Sequence, residues 1–98
     1  MDKYIEQIKE IVLSHFQNEN VMIVFFGSRA ERRADEGADV DLGIKSKNTI
    51  DPIMISKIKT SLEESNIPYH VDIIDLSKAD KMFVENVLKN GIVWKNFN

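Results

Sequence analysis

A chain of 98 residues with no cysteine has room for one small core, read as a single domain over residues 1–98, and for neither a disulfide framework nor a thiolate metal site. Nucleic-acid binding without sequence preference runs on surplus Lys and Arg; 13 of these against 16 Asp and Glu, a net charge of −3, make nucleic acid a poor candidate for the main partner. The opening Met1-Asp2-Lys3-Tyr4-Ile5-Glu6 is too charged for a signal peptide and no apolar run approaches membrane-spanning length, so the expected compartment is the cytoplasm.

Ile5, Ile8, Val12 and Phe16 recur at helical spacing between charged residues, which predicts an amphipathic helix from Lys3 to Phe16. Asn18-Glu19-Asn20 breaks it. Val21 to Phe26 is a short, continuous apolar run, the pattern of a strand buried on both faces. Gly27-Ser28 ends that strand. From Arg29 to Ala38 the chain is polar, with room for one short helical turn and with Gly37 as a turn residue.

Asp39 to Ile44 alternates, with Val40, Leu42 and Ile44 on one face and Asp39, Asp41 and Gly43 on the other. Asp51-Pro52 starts a helix, Asp as N-cap and Pro at the first position. That helix should bury Ile55, Ile58 and Leu62 and end near Asn66. His70 to Asp75 forms a further strand, setting Val71 and Ile73 against His70, Asp72 and Ile74. Ser77 then opens a last helix, with Asp80 three residues on in a capping-box-like pair. Phe83, Val84, Val87 and Leu88 form its apolar stripe, Gly91 is its C-cap, and Ile92 to Trp94 makes a short terminal strand. The order α-β-α-β-α-β-α predicts an α/β fold, a sheet covered by helices.

Asp39 and Asp41 lie two apart on one strand, so both carboxylates leave the same face. Charges that close repel, and desolvation sharpens the repulsion; a cation between them relieves it. Oxygen donors alone select hard ions such as Mg2+ or Mn2+. Asp72 joins them if its strand neighbours theirs, and three carboxylates from two strands suit a pair of ions about 3.5–4 Å apart. Strand parity puts Asp75 on the opposite face, which favours Asp72 as the third. Gly27 lets backbone approach a phosphate closely, Ser28 adds a hydroxyl donor, and Arg29 or Arg33 adds charge. Each has a plainer reading. Gly27-Ser28 alone is a strand-end turn, Arg29, Arg32 and Arg33 alone are a solvated charge run, and His70 is a surface histidine before it is a pocket residue.

Gly27-Ser28, ten residues, then Asp39-Val40-Asp41 is a spacing that resembles the nucleotidyltransferase superfamily related to DNA polymerase beta. The stretch Phe26-Gly27-Ser28-Arg29-Ala30 to Gly37-Ala38-Asp39-Val40-Asp41-Leu42 resembles the minimal nucleotidyltransferases, the MNT or MntA group. Val71-Asp72-Ile73-Ile74-Asp75-Leu76 is similar to the strand that carries their third carboxylate. In element order the resemblance spans essentially the whole chain. It implies a mixed β-sheet flanked by helices, the polymerase beta palm-like fold, and transfer of AMP from ATP onto an acceptor. On that resemblance Gly27, Ser28 and Arg29 bind the nucleotide, and Asp39, Asp41 and Asp72 hold Mg2+ or Mn2+. Asp72 also helps to deprotonate the acceptor hydroxyl. Members of this group are typically encoded beside a HEPN-domain protein. Several are antitoxins that neutralise that partner by adenylylating a tyrosine or by binding it.

The sequence departs from the family pattern at three positions. Arg32 stands where Gly is common, Asp35 where Arg is common, and Ala38 where Ser is common. The first bears on the turn and the second on a phosphate contact, for which Arg32 or Arg33 can substitute. The leading expectation is a metal-dependent adenylyltransferase whose acceptor is a protein, with a HEPN partner or a second copy of the chain supplying surface. The alternative is a non-catalytic antitoxin that masks its partner; an enzyme acting on a small molecule is the third.

Overall fold

The structure is a computed structural model that describes residues 2–32 and 39–98. Helix α1, Lys3–His15, starts at Asp2, whose carboxylate accepts the Tyr4 N–H at 2.7 Å. Ile5, Ile8 and Val12 are buried along one side, and Phe16, just past the end, is buried with them. Strand β1, Val21–Phe26, runs into a single helical turn, α2, Gly27–Ala30. Strand β2 covers Val40–Ser46, and helix α3 covers Pro52–Glu63 behind its Asp51 cap. Strand β3, Val71–Asp75, leads into a 3-10 turn at Leu76–Lys78; helix α4 is Lys81–Asn90 and strand β4 is Ile92–Lys95.

The sheet is mixed, in the order β3-β2-β1-β4. β1 is antiparallel to both β2 and β4, and β2 is parallel to β3. A parallel pair needs a crossover, which α3 supplies. Strand alternation then assigns the two faces. Val21, Ile23 and Phe25 of β1 and Val40, Leu42 and Ile44 of β2 pack against Ile5, Ile8, Val12 and Ile58 of α1 and α3. On the opposite face Val24, Leu76 and Val87 form a smaller cluster with Met22, Phe26, Ile74 and Val84. Gly43 makes room for it, because a Cβ there would stand 2.9 Å from Leu76 Cδ1.

Several boundaries and burials differ from the sequence reading: α1 stops at His15 rather than Phe16, β3 starts at Val71 rather than His70, and β4 runs on to Lys95. α3 ends at Glu63 rather than near Asn66, since the Ser65 hydroxyl donates to the Leu62 carbonyl and accepts the Ile67 N–H, local bonds that compete with a further helical turn. The last helix begins at Lys81, not Ser77. The Ser77 N–H and hydroxyl both donate to Asp75, at 3.0 and 2.6 Å, and tie residues 76–78 into the 3-10 turn. Asp80, not Ser77, caps α4. β2 starts at Val40 and runs on to Ser46. Of the apolar stripe on α4 only Val87 is buried, while Phe83 and Leu88 are 38% and 37% exposed. α4 covers only a small cluster, and Phe83 meets it through an edge-on contact with Phe26 at 5.7 Å. Ile55 is half-buried.

Candidate active site

The face that carries α4 is only partly covered, and its open end holds the carboxylates. β1 ends there and β2 and β3 begin there, because the first two are antiparallel and the last two parallel. The register pairs Asp41 with Asp72 and Val40 with Val71. One step earlier the same register sets Asp39 beside His70, whose carbonyl accepts the Val40 N–H at 2.9 Å. Alternation sends all four side chains to one face. Asp39, His70 and Asp72 offer ligand atoms that all lie within 4.8 Å of one another, and His70 Nε2 is 3.5 Å from Asp72 Oδ1.

Asp41 is the half-buried member of the group. Burial pushes its carboxyl above the usual carboxylate range, and the negative charges of Asp72 and Asp39 push it further the same way, with His70 pulling back. The Asp41 carboxylate also leans on Gly27. That glycine has φ +87, and a Cβ on it would collide with Asp41 Oδ2. Ser28 follows in α2, half-buried. Gly27-Ser28 and the carboxylates are thus adjacent in space as well as in pattern.

Arg29 stands at the flank of the site. Its guanidinium lies 4.2 Å over the Tyr69 ring, and Tyr4 meets the same ring edge-on at 5.6 Å. The Tyr69 hydroxyl donates to the Asp2 carboxylate. That bond holds the Asp2 carboxyl below its ordinary 3.8 and, seen from the other side, holds the Tyr69 hydroxyl above its ordinary 10.0. Tyr69 precedes His70, so this cluster ties α1 and α2 to the start of β3. A groove of about 460 Å³ opens beside it, lined among others by Lys59, Glu63, Tyr69, His70 and Asp72.

Arg32 lies in the turn after α2 with φ +59. This is the left-handed conformation that favours glycine, the residue common there in the family that the sequence resembles. Asp75 is on the other face, in register with Ile44, and caps the 3-10 turn. The expectations for Arg33, Asp35, Gly37 and Ala38 lie outside the described residues.

Two features escape a reading of the sequence. His70 was visible as a face-mate of Asp72, but only the parallel register puts it beside Asp39. The Asp2–Tyr69 bond joins residues 67 apart and has no local signal. No helix among the described residues is long and apolar enough to cross a membrane.

The family model described as "Polymerase beta, Nucleotidyltransferase" matches residues 6–96. Probable protein adenylyltransferase MntA of Haemophilus influenzae is 32% identical over 68 residues, which is 69% of this chain and 60% of the relative. The match therefore spans less than two thirds of that protein's length. A solved structure described as a minimal nucleotidyltransferase is 26% identical with a TM-score of 0.73, covering 94% of this chain and 95% of the other. A chain from the complex of the tri-AMPylated Shewanella oneidensis HEPN toxin with MNT antitoxin is 19% identical with a TM-score of 0.64, covering 93% and 71%.

Proposed function

Since this chain belongs to the polymerase beta nucleotidyltransferase family, we propose that it is a metal-dependent adenylyltransferase that moves AMP from ATP onto a protein, as the cytoplasmic antitoxin of a HEPN-domain toxin. The observation that carries this reading is the convergence of Asp39, Asp41 and Asp72 on one face of two parallel neighbours, next to Gly27-Ser28. The names of the relatives favour a protein acceptor: one is a protein adenylyltransferase, and another solved complex holds an AMPylated HEPN toxin beside an MNT antitoxin.

The carboxylates fit a divalent cation. Burial raises the Asp41 carboxyl, and the negative charges of Asp72 and Asp39 add to it; a positive charge among them would relieve this, and an oxygen donor set without sulfur suits Mg2+ or Mn2+. Asp39, Asp41 and Asp72 would hold it, and when bound it supplies charge that draws the triphosphate in and polarises the reacting oxygens. The remaining work falls to the chain's own groups. Ser28 donates its hydroxyl to a phosphate oxygen, and Gly27, lacking a side chain, leaves Asp41 room against the backbone. Arg29, stacked on Tyr69, places positive charge at the flank of the nucleotide site. Asp72 faces the open groove and accepts the proton of the acceptor hydroxyl as that oxygen bonds to the α-phosphorus. The bond to the bridging oxygen breaks, and pyrophosphate leaves.

Labelled ATP with Mg2+ and the product of the neighbouring gene tests the proposal. Label should pass to the partner with the natural chain and not with Asp39→Ala/Asp41→Ala. Absence of label with both removes the catalytic claim. Rescue of cells by Asp39→Asn/Asp41→Asn would transfer the antitoxin role to binding alone.

A further inference from the structure

We infer that His70 is a nitrogen ligand of the cation held by Asp39 and Asp72, which gives the site a mixed donor set and a preference for Mn2+ over Mg2+. The inference rests on the proposed metal site and concerns its composition. His70 and Asp39 are neighbours across the β2–β3 ladder, one step before the Val40–Val71 pair. The Val40 N–H bond to the His70 carbonyl fixes the backbone from which the ring projects. The ring nitrogen and the two carboxylates are the three described groups whose ligand atoms come within 4.8 Å of one another.

Distances suit a shared ion. On a six-coordinate cation with bonds of about 2.1 Å, neighbouring donors stand about 3.0 Å apart and opposite donors about 4.2 Å. His70 Nε2 and Asp72 Oδ1 are 3.5 Å apart, between those two values. Both side chains are exposed, 69% and 57%, so small rotations close the remainder without disturbing the core. The same exposure argues against a packing role for the ring. An ion pair with Asp72 is the competing reading, and it would leave Asp39 facing Asp72 with nothing between them.

Chemistry then sets the preference. Mg2+ favours oxygen donors and keeps its waters, whereas imidazole suits the later first-row ions, and affinity at a mixed site rises from Mn2+ onward. Replacing one carboxylate or water position by an imidazole therefore discriminates against Mg2+.

The test uses the full 98-residue chain with Mn2+ alone. Pulsed electron paramagnetic resonance should show a directly bound 14N nucleus, and calorimetry should show tighter Mn2+ than Mg2+ binding. His70→Asn should abolish the nitrogen signal and weaken Mn2+ by about 10-fold, with Mg2+ changed by less than about 3-fold. His70→Asp should restore affinity without the nitrogen signal and move the preference toward Mg2+. The strand is held by the His70 backbone, so both variants fold. Bound Mn2+ with no nitrogen coupling overturns the inference and leaves the carboxylate site standing. A nitrogen signal that survives His70→Asn overturns it equally. If Mn2+ does not bind at all, or binds regardless of Asp39→Asn/Asp72→Asn, the proposed metal site fails and takes the inference with it.

Discussion

The carboxylate of Asp41 rests against the bare Cα of Gly27, on the side where any other residue would carry its Cβ. Two parts of the candidate site, the strand-end turn and the acidic strand, are thereby in van der Waals register. Gly27 also holds φ +87, so a side chain there meets both a collision and backbone strain. Gly27→Ala should destabilise the protein by about 1–3 kcal/mol and weaken Mg-ATP binding. Urea denaturation and calorimetry read the two effects. Combining it with Asp41→Ala should recover part of the stability loss, and strict additivity of the pair would refute the steric account.

Asp41→Asn should separate stability from function. The native state of the metal-free protein holds the Asp41 carboxyl above its ordinary value through burial and through Asp72 and Asp39, so ionised Asp41 opposes folding at neutral pH. Removing that charge at a half-exposed site is worth at most about 0.5 kcal/mol after solvent screening, a rise in Tm of about 2–4 °C. Metal binding and adenylyl transfer should be lost at the same time. A fall in Tm without metal contradicts the electrostatic reading of the site.

The Asp2–Tyr69 bond should give stability a defined pH window. Asp2 has its carboxyl lowered from 3.8 by the Tyr69 hydroxyl, so its contribution is present above that value and lost as pH falls through the lower folded one. Tyr69 is raised from 10.0 by the same bond, so its share is lost as pH climbs past the raised value. Between those limits Tyr69→Phe should cost less than about 1 kcal/mol, the pair being largely solvated. Urea midpoints of the two proteins should differ at pH 7 and converge in acid, as pH falls through the lowered value of Asp2. A constant difference across that range would mean that the hydroxyl acts through something other than Asp2.

Arg32→Gly should stabilise the turn that follows α2. An L-residue in the left-handed region costs about 1–2 kcal/mol, of which the greater freedom of glycine in the unfolded chain returns roughly 0.4–1 kcal/mol. The net gain expected is about 0.5 kcal/mol, measured by chemical denaturation. A loss of stability would show that the Arg32 side chain contributes more than its backbone strain removes.

Much of the scaffold was legible because it follows from local pattern. The 3.6-residue spacing of Ile5, Ile8 and Val12 predicts α1, and the Asp51-Pro52 pair predicts the start of α3. Where prediction slipped, side chains competed for the same backbone groups. Ser77 looks like an N-cap, yet Asp75 two residues earlier takes its N–H and hydroxyl, and the helix waits for Asp80. Leu76, the first residue of the 3-10 turn, packs on Gly43, a contact with a strand more than thirty residues away that no local pattern signals.

By itself the sequence determined which side chains share a strand face. A period of two is a property of one strand, so Asp39 with Asp41, and His70 with Asp72, could be paired without coordinates. Only the tertiary structure decided that these two strands are parallel neighbours in the register that sets Asp41 beside Asp72 and Asp39 beside His70. Register is chosen by burial of Val40, Leu42 and Ile44 under α1 and α3 and by the crossover that α3 makes. Those are non-local terms, and slipping the pairing by one residue would turn every one of these side chains to the other face.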